Sequence, residues 1–248
     1  MTPLLLVAHG SRDPRSGAVI EALAGRIAAI RPGLPVAASY LEHLGRRPLP
    51  VANDLTAGAG ELVCVPLLLT SAYHGTVDVP QVLDGIRAAL PDLRVRAGRV
   101  LGADETVLKA LDDRLGAAGV STVDGMVLAA AGTRDRAARA AIDRLARRYG
   151  ARHRVPCLPA YAAAGQDVAS ALARLRAAGA RRIVVVSYFL APGRLHDRIV
   201  VAARDSGALA VTEPFGATAG IAAATLARYD EAARSVGTDG VRVPVLVG

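Results

Sequence analysis

The sequence has no tryptophan, two phenylalanines and six tyrosines, and Lys109 is its single lysine. Because aromatic side chains are so few, we expect a core of alanine, valine and leucine. The stacking aromatics that accompany basic residues on nucleic-acid-binding surfaces are scarce too, which argues against a nucleic-acid partner. The formal net charge of +8 comes almost wholly from arginine and favours an anionic partner such as a polycarboxylate.

Cysteine and long apolar runs are equally sparse. Neither Cys64 nor Cys157 lies in a Cys-x-x-Cys pair or near a histidine at zinc-finger spacing, so we expect no structural zinc site. Cys64 lies within an apolar run and is predicted to be a buried small hydrophobe. No apolar stretch reaches the roughly 18 residues of a membrane span, and the N-terminal apolar run is too short for a signal peptide. We therefore expect a cytoplasmic protein without a membrane partner.

Short apolar runs alternate with longer stretches of helical period that are rich in alanine, leucine and arginine. This alternation predicts an α/β fold with parallel sheets and helices on both faces. Among the predicted helices, one covers Asp135–Tyr149. The predicted strands cover Leu4–Ala8, Pro35–Tyr40, Glu61–Pro66, Leu93–Ala97, Met126–Ala130, Arg154–Leu158, Arg182–Tyr188 and Ala208–Val211.

The second half of the chain repeats the first. The stretch Leu6–Asp13 aligns with Leu128–Asp135, and Tyr40 aligns with Tyr161. We therefore expect two tandem Rossmann-like domains that arose by internal duplication, with the active site in the cleft between them. The first domain, with the catalytic residues, and the degenerate second domain are predicted to cover 1–119 and 120–248.

Comparing the two copies separates structural residues from candidates for chemistry. Gly10 is kept as Gly132, and Asp13, which suits a helix start, is kept as Asp135, so these residues are expected to serve the fold. Polar residues present in only one copy are candidates for chemistry. The replacements are His9 by Ala131, Glu42 by Ala163, and His74 by Leu195, with His196 one position further along.

His9, Glu42 and His74 each follow a predicted parallel strand, so we expect them at one edge of the sheet, where ligands bind in such folds. Two imidazoles and a carboxylate suit a divalent first-row metal with positions left open for a substrate. The same side chains are also consistent with an acid–base pair that a carboxylate orients. Asp78 is expected either to orient His74 or to cap the next helix, and Tyr73 either to line the cleft or to pack in the core.

Three motifs together resemble those of the sirohydrochlorin chelatases: AHGSRDP at the first strand, YLE after the second, and PLLL with YHxxxDVP after the third. These ATP-independent enzymes insert Co²⁺ or Fe²⁺ into sirohydrochlorin, a reduced tetrapyrrole, in siroheme and cobalamin biosynthesis. The resemblance implies a lyase in which His9 and His74 bind the metal and accept pyrrole protons while Glu42 assists. It implies no organic cofactor, and the divalent metal is a substrate.

Sirohydrochlorin carries carboxylates, which arginine side chains and backbone N–H groups at helix starts can bind. The residues expected to bind this substrate are Gly10, Ser11, Arg12, Tyr73, Arg46 and Arg194, with Arg47 as a further arginine candidate. Iron and cobalt both accept imidazole and carboxylate ligands, so the sequence does not choose between them. Because one chain supplies both halves of the cleft, a monomer can suffice.

Two other functions remain open. The same site without turnover would make the protein a metallochaperone or a tetrapyrrole-binding protein. A histidine beside glycine, serine and arginine is also found in histidine phosphatases. Those enzymes need an arginine immediately before the histidine, where this chain has Ala8.

Overall fold

Parallel strands alternate with helices along the chain. The structure, a computed structural model, describes residues 1–43, 45–70 and 78–235. The elements before residue 119 are β1 (Leu4–Ala8), α1 (Pro14–Ile30), β2 (Val36–Tyr40), α2 (Pro48–Leu55), β3 (Glu61–Pro66), α3 (Val79–Ala89), β4 (Arg94–Ala97) and α4 (Glu105–Ala117). Those after it are β5 (Gly125–Ala130), α5 (Arg136–His153), β6 (Cys157–Tyr161), α6 (Val168–Ala177), β7 (Ile183–Ser187), α7 (Arg194–Asp205), β8 (Ala210–Val211) and α8 (Ala219–Arg234).

The strands of the described residues form two four-stranded sheets with the same topology. Their orders are β2-β1-β3-β4 and β6-β5-β7-β8, and every pairing is parallel. In the first sheet Ala8 lies opposite Tyr40, and in the second Ala130 lies opposite Tyr161, so the registers match as well. The predicted α/β fold with two tandem parallel sheets is confirmed.

The central strand of the first sheet is buried on both faces. All five residues of β1 are buried, as expected for a parallel strand covered by helices on both sides. On one face Leu5 and Val7 pack with Cys64 and with Leu83 and Ile86 of α3. Cys64 is fully buried, as predicted, and burial raises the pKa of its thiol to about 12. Among the helices of the described residues, none is both long and apolar enough to cross a bilayer.

The bounds of α5 and β6 differ from expectation. The predicted end of the helix at Tyr149 and the predicted start of the strand at Arg154 are both wrong. The helix continues to His153, Arg154 takes a left-handed conformation with φ 58°, and the strand begins at Cys157.

Gly150 explains why α5 can continue beyond the expected end. A Cβ atom at this position would lie 2.7 Å from Val155 O and 2.9 Å from the Cβ atom of Cys157. The absent side chain therefore lets the returning chain pack directly on the helix. A glycine that signals a helix end in sequence serves here as a contact between the helix and the segment that leads to β6.

The chain forms two compact units, each described by itself. One unit contains Met1–Gly102 with the described part of Ala222–Gly248, and the other contains Ala103–Ile221. The fourth helix of the first copy, α4, therefore belongs to the second unit, and most of α8 belongs to the first. These units are defined by contacts between residues, and their bounds differ from the repeat boundary at 119–120. The repeat boundary concerns the duplication and stays a prediction.

Arg228 fastens α8 within the first unit. Its side chain is 5% exposed, and it donates hydrogen bonds to Val100 O at 3.1 Å and to Leu101 O at 3.0 Å. Hydrogen bonds from a charged donor stabilise a fold more than neutral ones do, and a buried acceptor that loses its donor adds a desolvation cost.

We therefore expect Arg228→Met to lower the free energy of unfolding by at least about 2 kcal/mol, because two backbone carbonyl groups lose their hydrogen bonds from a charged donor. Arg234→Met changes an exposed arginine of the same helix and should alter stability by less than about 0.5 kcal/mol. Urea denaturation of both variants measures the difference. Equal stability losses in the two variants would contradict the role given to Arg228.

Candidate active site at the carboxyl edge of the first sheet

His9 and Glu42 lie side by side at the carboxyl edge of the first sheet. The hydrogen bonds between β1 and β2 continue beyond both strands, since Leu41 N–H donates to Ala8 O and Glu42 N–H donates to His9 O, each at 2.9 Å. Because β1 is a central strand, its end lies between those of β2 and β3. The carboxyl ends of neighbouring parallel strands are where α/β folds bind ligands.

The close approach of these two segments requires glycine at position 10. Gly10 has φ 93°, and a Cβ atom there would lie 2.0 Å from Glu42 O. An L-residue would both strain the left-handed backbone and collide with the neighbouring chain. In the second copy Gly132 has φ 91°, and its Cβ atom would lie 3.0 Å from Ala164 N, so the turn is a shared feature of the fold.

Glu42 and His43 form a polar pair at this edge. The Glu42 side chain is 50% exposed, and its Oε2 lies 3.2 Å from Nε2 of His43. His43 has φ 64°, a left-handed conformation in which a non-glycine residue is uncommon. His43 is not among the residues predicted from the sequence. The sequence signal for His43 is its position next to Glu42 in the YLEH stretch. This signal is weak, because the alternation of a strand would direct neighbouring side chains to opposite faces.

Arg46, one of the arginines predicted to bind substrate, lies in a hydrogen-bonded cluster below this edge. Its Nη1 is 3.1 Å from Oε1 of Glu21, and the same oxygen accepts a hydrogen bond from Tyr40 OH at 3.0 Å. Burial and the Glu21 carboxylate raise the pKa of Tyr40 to about 12. Arg47, the further candidate, donates to Leu41 O. Both guanidinium groups are thus engaged with the chain.

The turn after His9 contains Gly10, Ser11 and Arg12, which are also predicted to bind the substrate. Ser11 Oγ accepts a hydrogen bond from Asp13 N–H at 3.1 Å, which shapes the turn. Asp13 caps α1 by accepting from Arg15 N–H at 3.0 Å, and the hydrogen bonds from Arg15 lower the pKa of this carboxyl. The predicted helix cap is confirmed. Arg12 is exposed and has no ion-pair partner in the described residues.

Arg194 is the first residue of α7 and is exposed. It follows β7 and therefore lies towards the carboxyl edge of the second sheet. The predicted ligand His74 and the predicted lining residue Tyr73 lie outside the described residues. Asp78 precedes α3, but its side chain makes no capping hydrogen bond, so the expectation that it caps this helix is wrong.

The second copy reproduces the backbone of the edge without its polar side chains. Ala163 N–H donates to Ala131 O at 3.0 Å, just as Glu42 N–H donates to His9 O. The alignment of these positions, made from sequence, is therefore confirmed by the hydrogen-bond register. One scaffold carries an imidazole and a carboxylate in one copy and methyl groups in the other.

His196, which the sequence left unassigned, is a buried residue of the second sheet's helical layer. It is 6% exposed, its Nε2 lies 3.3 Å from Ser187 Oγ, and its ring packs edge-on against Phe189 at 5.5 Å. Across residues 1–43, 45–70 and 78–235, no cluster of three histidine, cysteine or acidic side chains is close enough to hold a metal ion. The predicted ligand set includes His74 and so is not tested by that result.

We expect Gly10→Ala to destabilise the first unit by more than about 3 kcal/mol, because the added Cβ atom combines left-handed strain with a collision. Gly58→Ala is the matched control: Gly58 has φ 80°, but no atom lies within 4 Å of a Cβ atom there. This control should cost about 1–2 kcal/mol, the cost of backbone strain alone. Chemical denaturation compares the two, and similar costs would contradict the collision.

A family model described as CbiX matches the chain twice, over residues 3–118 and 125–232. The two matches coincide with the two copies of the repeat. They cover most of the chain, and each contains one of the two four-stranded sheets.

Curated relatives with names of known activity match parts of the chain. The sirohydrochlorin ferrochelatase of Bacillus subtilis is 27% identical over 121 residues, which is 47% of this chain and 45% of that protein. The sirohydrochlorin cobaltochelatase of Methanococcoides burtonii is 31% identical over 85 residues, 32% of this chain and 62% of that protein. The matched segments thus span about half the length of these relatives.

Solved structures share the fold over nearly the whole chain. SirB from Bacillus subtilis, solved with Fe³⁺, superposes with a TM-score of 0.80 at 24% identity and covers 94% of this chain and 96% of that chain. CbiX, described as the terminal enzyme of siroheme biosynthesis in denitrifying bacteria, has a TM-score of 0.67 at 20% identity and covers 94% and 99%. With the family model matched over both halves and the fold shared, the chain belongs to the CbiX family.

Proposed function

We propose that this protein inserts Fe²⁺ or Co²⁺ into sirohydrochlorin and that the reaction takes place at the edge that carries His9 and Glu42. Membership of the CbiX family supports the proposal, as do the names of the relatives from Bacillus subtilis and Methanococcoides burtonii, a ferrochelatase and a cobaltochelatase. The metal is a substrate in this reaction, and no organic cofactor takes part.

The difference between the two copies is the observation that carries this proposal. The hydrogen bond that joins Glu42 to His9 has a counterpart between Ala163 and Ala131. The fold therefore needs neither the imidazole nor the carboxylate. Polar side chains that the scaffold does not require, at the edge where parallel α/β sheets bind ligands, are the strongest candidates for chemistry.

The chemistry of insertion suits these residues. The ion must lose water, the ring must lose its pyrrole protons, and the ion must then pass to the ring nitrogens. The imidazole of His9 is a ligand type that suits borderline divalent ions, and imidazole also serves as a general base. His74, by resemblance, supplies a second imidazole. Both cysteine thiols of the chain are buried, so thiolate, which binds such ions more tightly, does not compete at this edge.

We assign Glu42 the role of moving protons away from the site. Its carboxylate is half exposed and contacts His43 Nε2, so it can accept a proton on the side that faces water. His43 extends this path by one titratable group. Gly10, Ser11 and Arg12, with Arg46, Arg194 and Tyr73, are proposed to bind the substrate carboxylates, the backbone N–H groups of the turn adding to the arginines.

His9→Ala should lower the rate of Co²⁺ insertion into sirohydrochlorin by at least about 100-fold, because ligand and proton acceptor are lost together. Added imidazole should restore part of the rate, which a merely structural role would not allow. His153→Asn, at the last residue of α5, is the matched control and should keep the wild-type rate. The measurement is tetrapyrrole absorbance with time under anaerobic conditions.

A wild-type rate in His9→Ala would overturn the assignment of this residue. If the wild-type protein binds one equivalent of metal or tetrapyrrole but never releases more than one equivalent of product, the carrier function replaces the catalytic one. Parallel assays with Fe²⁺ and Co²⁺ report which metal is inserted faster.

Glu42→Gln should lower the insertion rate by about 10-fold to 100-fold and leave the affinity for Co²⁺ within about twofold, since the amide cannot accept the proton. His9→Ala should instead weaken Co²⁺ binding by at least about tenfold. Asp205→Asn, at the exposed last residue of α7, is the control and should change neither quantity. Visible absorption of bound Co²⁺ measures affinity, and a loss of affinity in Glu42→Gln would contradict the assigned role.

A further inference from the structure

The second unit contains a groove of about 680 Å³ beside α5 and β6. β6 is an edge strand, because it lies at the end of the strand order β6-β5-β7-β8. The strand contributes Cys157, Leu158, Pro159 and Tyr161 to the lining. No residue assigned above to the candidate active site is among the described lining residues, so the groove is a different surface.

Arginine dominates this groove. Among the described lining residues Asp143 has the one carboxylate, and its Oδ1 accepts a hydrogen bond from Tyr161 OH at 2.7 Å. Three arginines come from α5 and one from α6: Arg136, Arg139, Arg147 and Arg174. The side chains that line the groove thus carry a clear excess of positive charge.

The Asp143 carboxylate offsets only part of this charge. Within the described ranges, none of the four arginines forms a salt bridge with a carboxylate, and Arg174 donates to the neutral side chain of Gln166. In the first copy Glu21 occupies the position of Asp143, and its carboxylate is paired with Arg46 at 3.1 Å. In the second copy, four guanidinium groups without a carboxylate partner among the described residues therefore line one concave surface. Such a surface can bind an anion from solution.

The first copy shows that the fold does not need the three arginines of α5. Tyr40 OH lies 3.5 Å from Gly17 O, and Tyr161 OH lies 3.4 Å from Arg139 O, so Gly17 and Arg139 occupy equivalent positions. The helix caps Asp13 and Asp135 fix the same alignment. The residues in the first copy at the positions of Arg136, Arg139 and Arg147 are Pro14, Gly17 and Gly25.

We propose that this groove of the second unit binds a small polyanion, a molecule that carries several carboxylate or phosphate groups. Its volume lies within the roughly 300–1,000 Å³ typical of small-molecule sites. Guanidinium groups bind both carboxylate and phosphate through paired hydrogen bonds. Leu158 and Pro159 offer apolar contact to a carbon skeleton.

Calorimetric titration of the full chain with citrate and, separately, with tripolyphosphate tests the proposal. The variant Arg139→Gln/Arg147→Gln removes two lining arginines. The control Arg144→Gln/Arg204→Gln removes two exposed arginines outside the lining, so the net charge of both variants is the same. Neither variant touches the residues assigned to metal insertion, so binding is read independently of that activity.

We expect the wild type to bind at least one probe with a dissociation constant below about 1 mM, and the lining variant to bind it at least about tenfold more weakly. The control variant should stay within about twofold of the wild type. Preference for citrate identifies a polycarboxylate ligand, and preference for tripolyphosphate a polyphosphate. Binding of neither probe below about 1 mM, or equal weakening in both variants, overturns the proposal.

Discussion

The candidate active site depends on one backbone contact, the hydrogen bond from Glu42 N–H to His9 O at 2.9 Å. This bond extends the pairing of β1 and β2 beyond the strands and brings a histidine and a carboxylate residue to one edge. It forms only because Gly10 lets its chain approach Glu42 O more closely than any Cβ atom would allow. The geometry of the candidate site therefore depends on a residue that has no side chain.

Duplication separates what the fold needs from what the chemistry needs. Both copies keep the glycine turn, the aspartate helix cap and the tyrosine that bonds to a carboxylate, here Tyr40 with Glu21 and Tyr161 with Asp143. They differ at the sheet edge, where the first copy is polar, and beside α5, where the second copy is rich in arginine. Each copy thus has polar side chains on a surface where the other copy has small or apolar residues.

Apolar patterns and the internal repeat are readable from the sequence, whereas contacts that depend on the conformation of the folded backbone are not. The apolar runs predict the strands, and the internal repeat predicts that Glu42 and Ala163 occupy equivalent positions. The end of α5 was missed because Gly150 is explained only by its contact with the returning chain. His43 was missed because its left-handed backbone turns the side chain towards Glu42, which strand alternation does not predict.

His196 could have restored a histidine to the second copy, but its hydrogen bonds give it another role. Ser187 Oγ donates its single proton to Thr212 O at 2.6 Å, so it can only accept from His196 Nε2, which must carry a hydrogen. The same ring is buried against Phe189. An imidazole fixed in this way ties α7 to β7 and has no Nε2 lone pair for a metal. A histidine in the second copy therefore does not make its sheet edge equivalent to that of the first copy. Burial and a hydrogen bond donated by Nε2 keep this imidazole from binding a metal through that nitrogen.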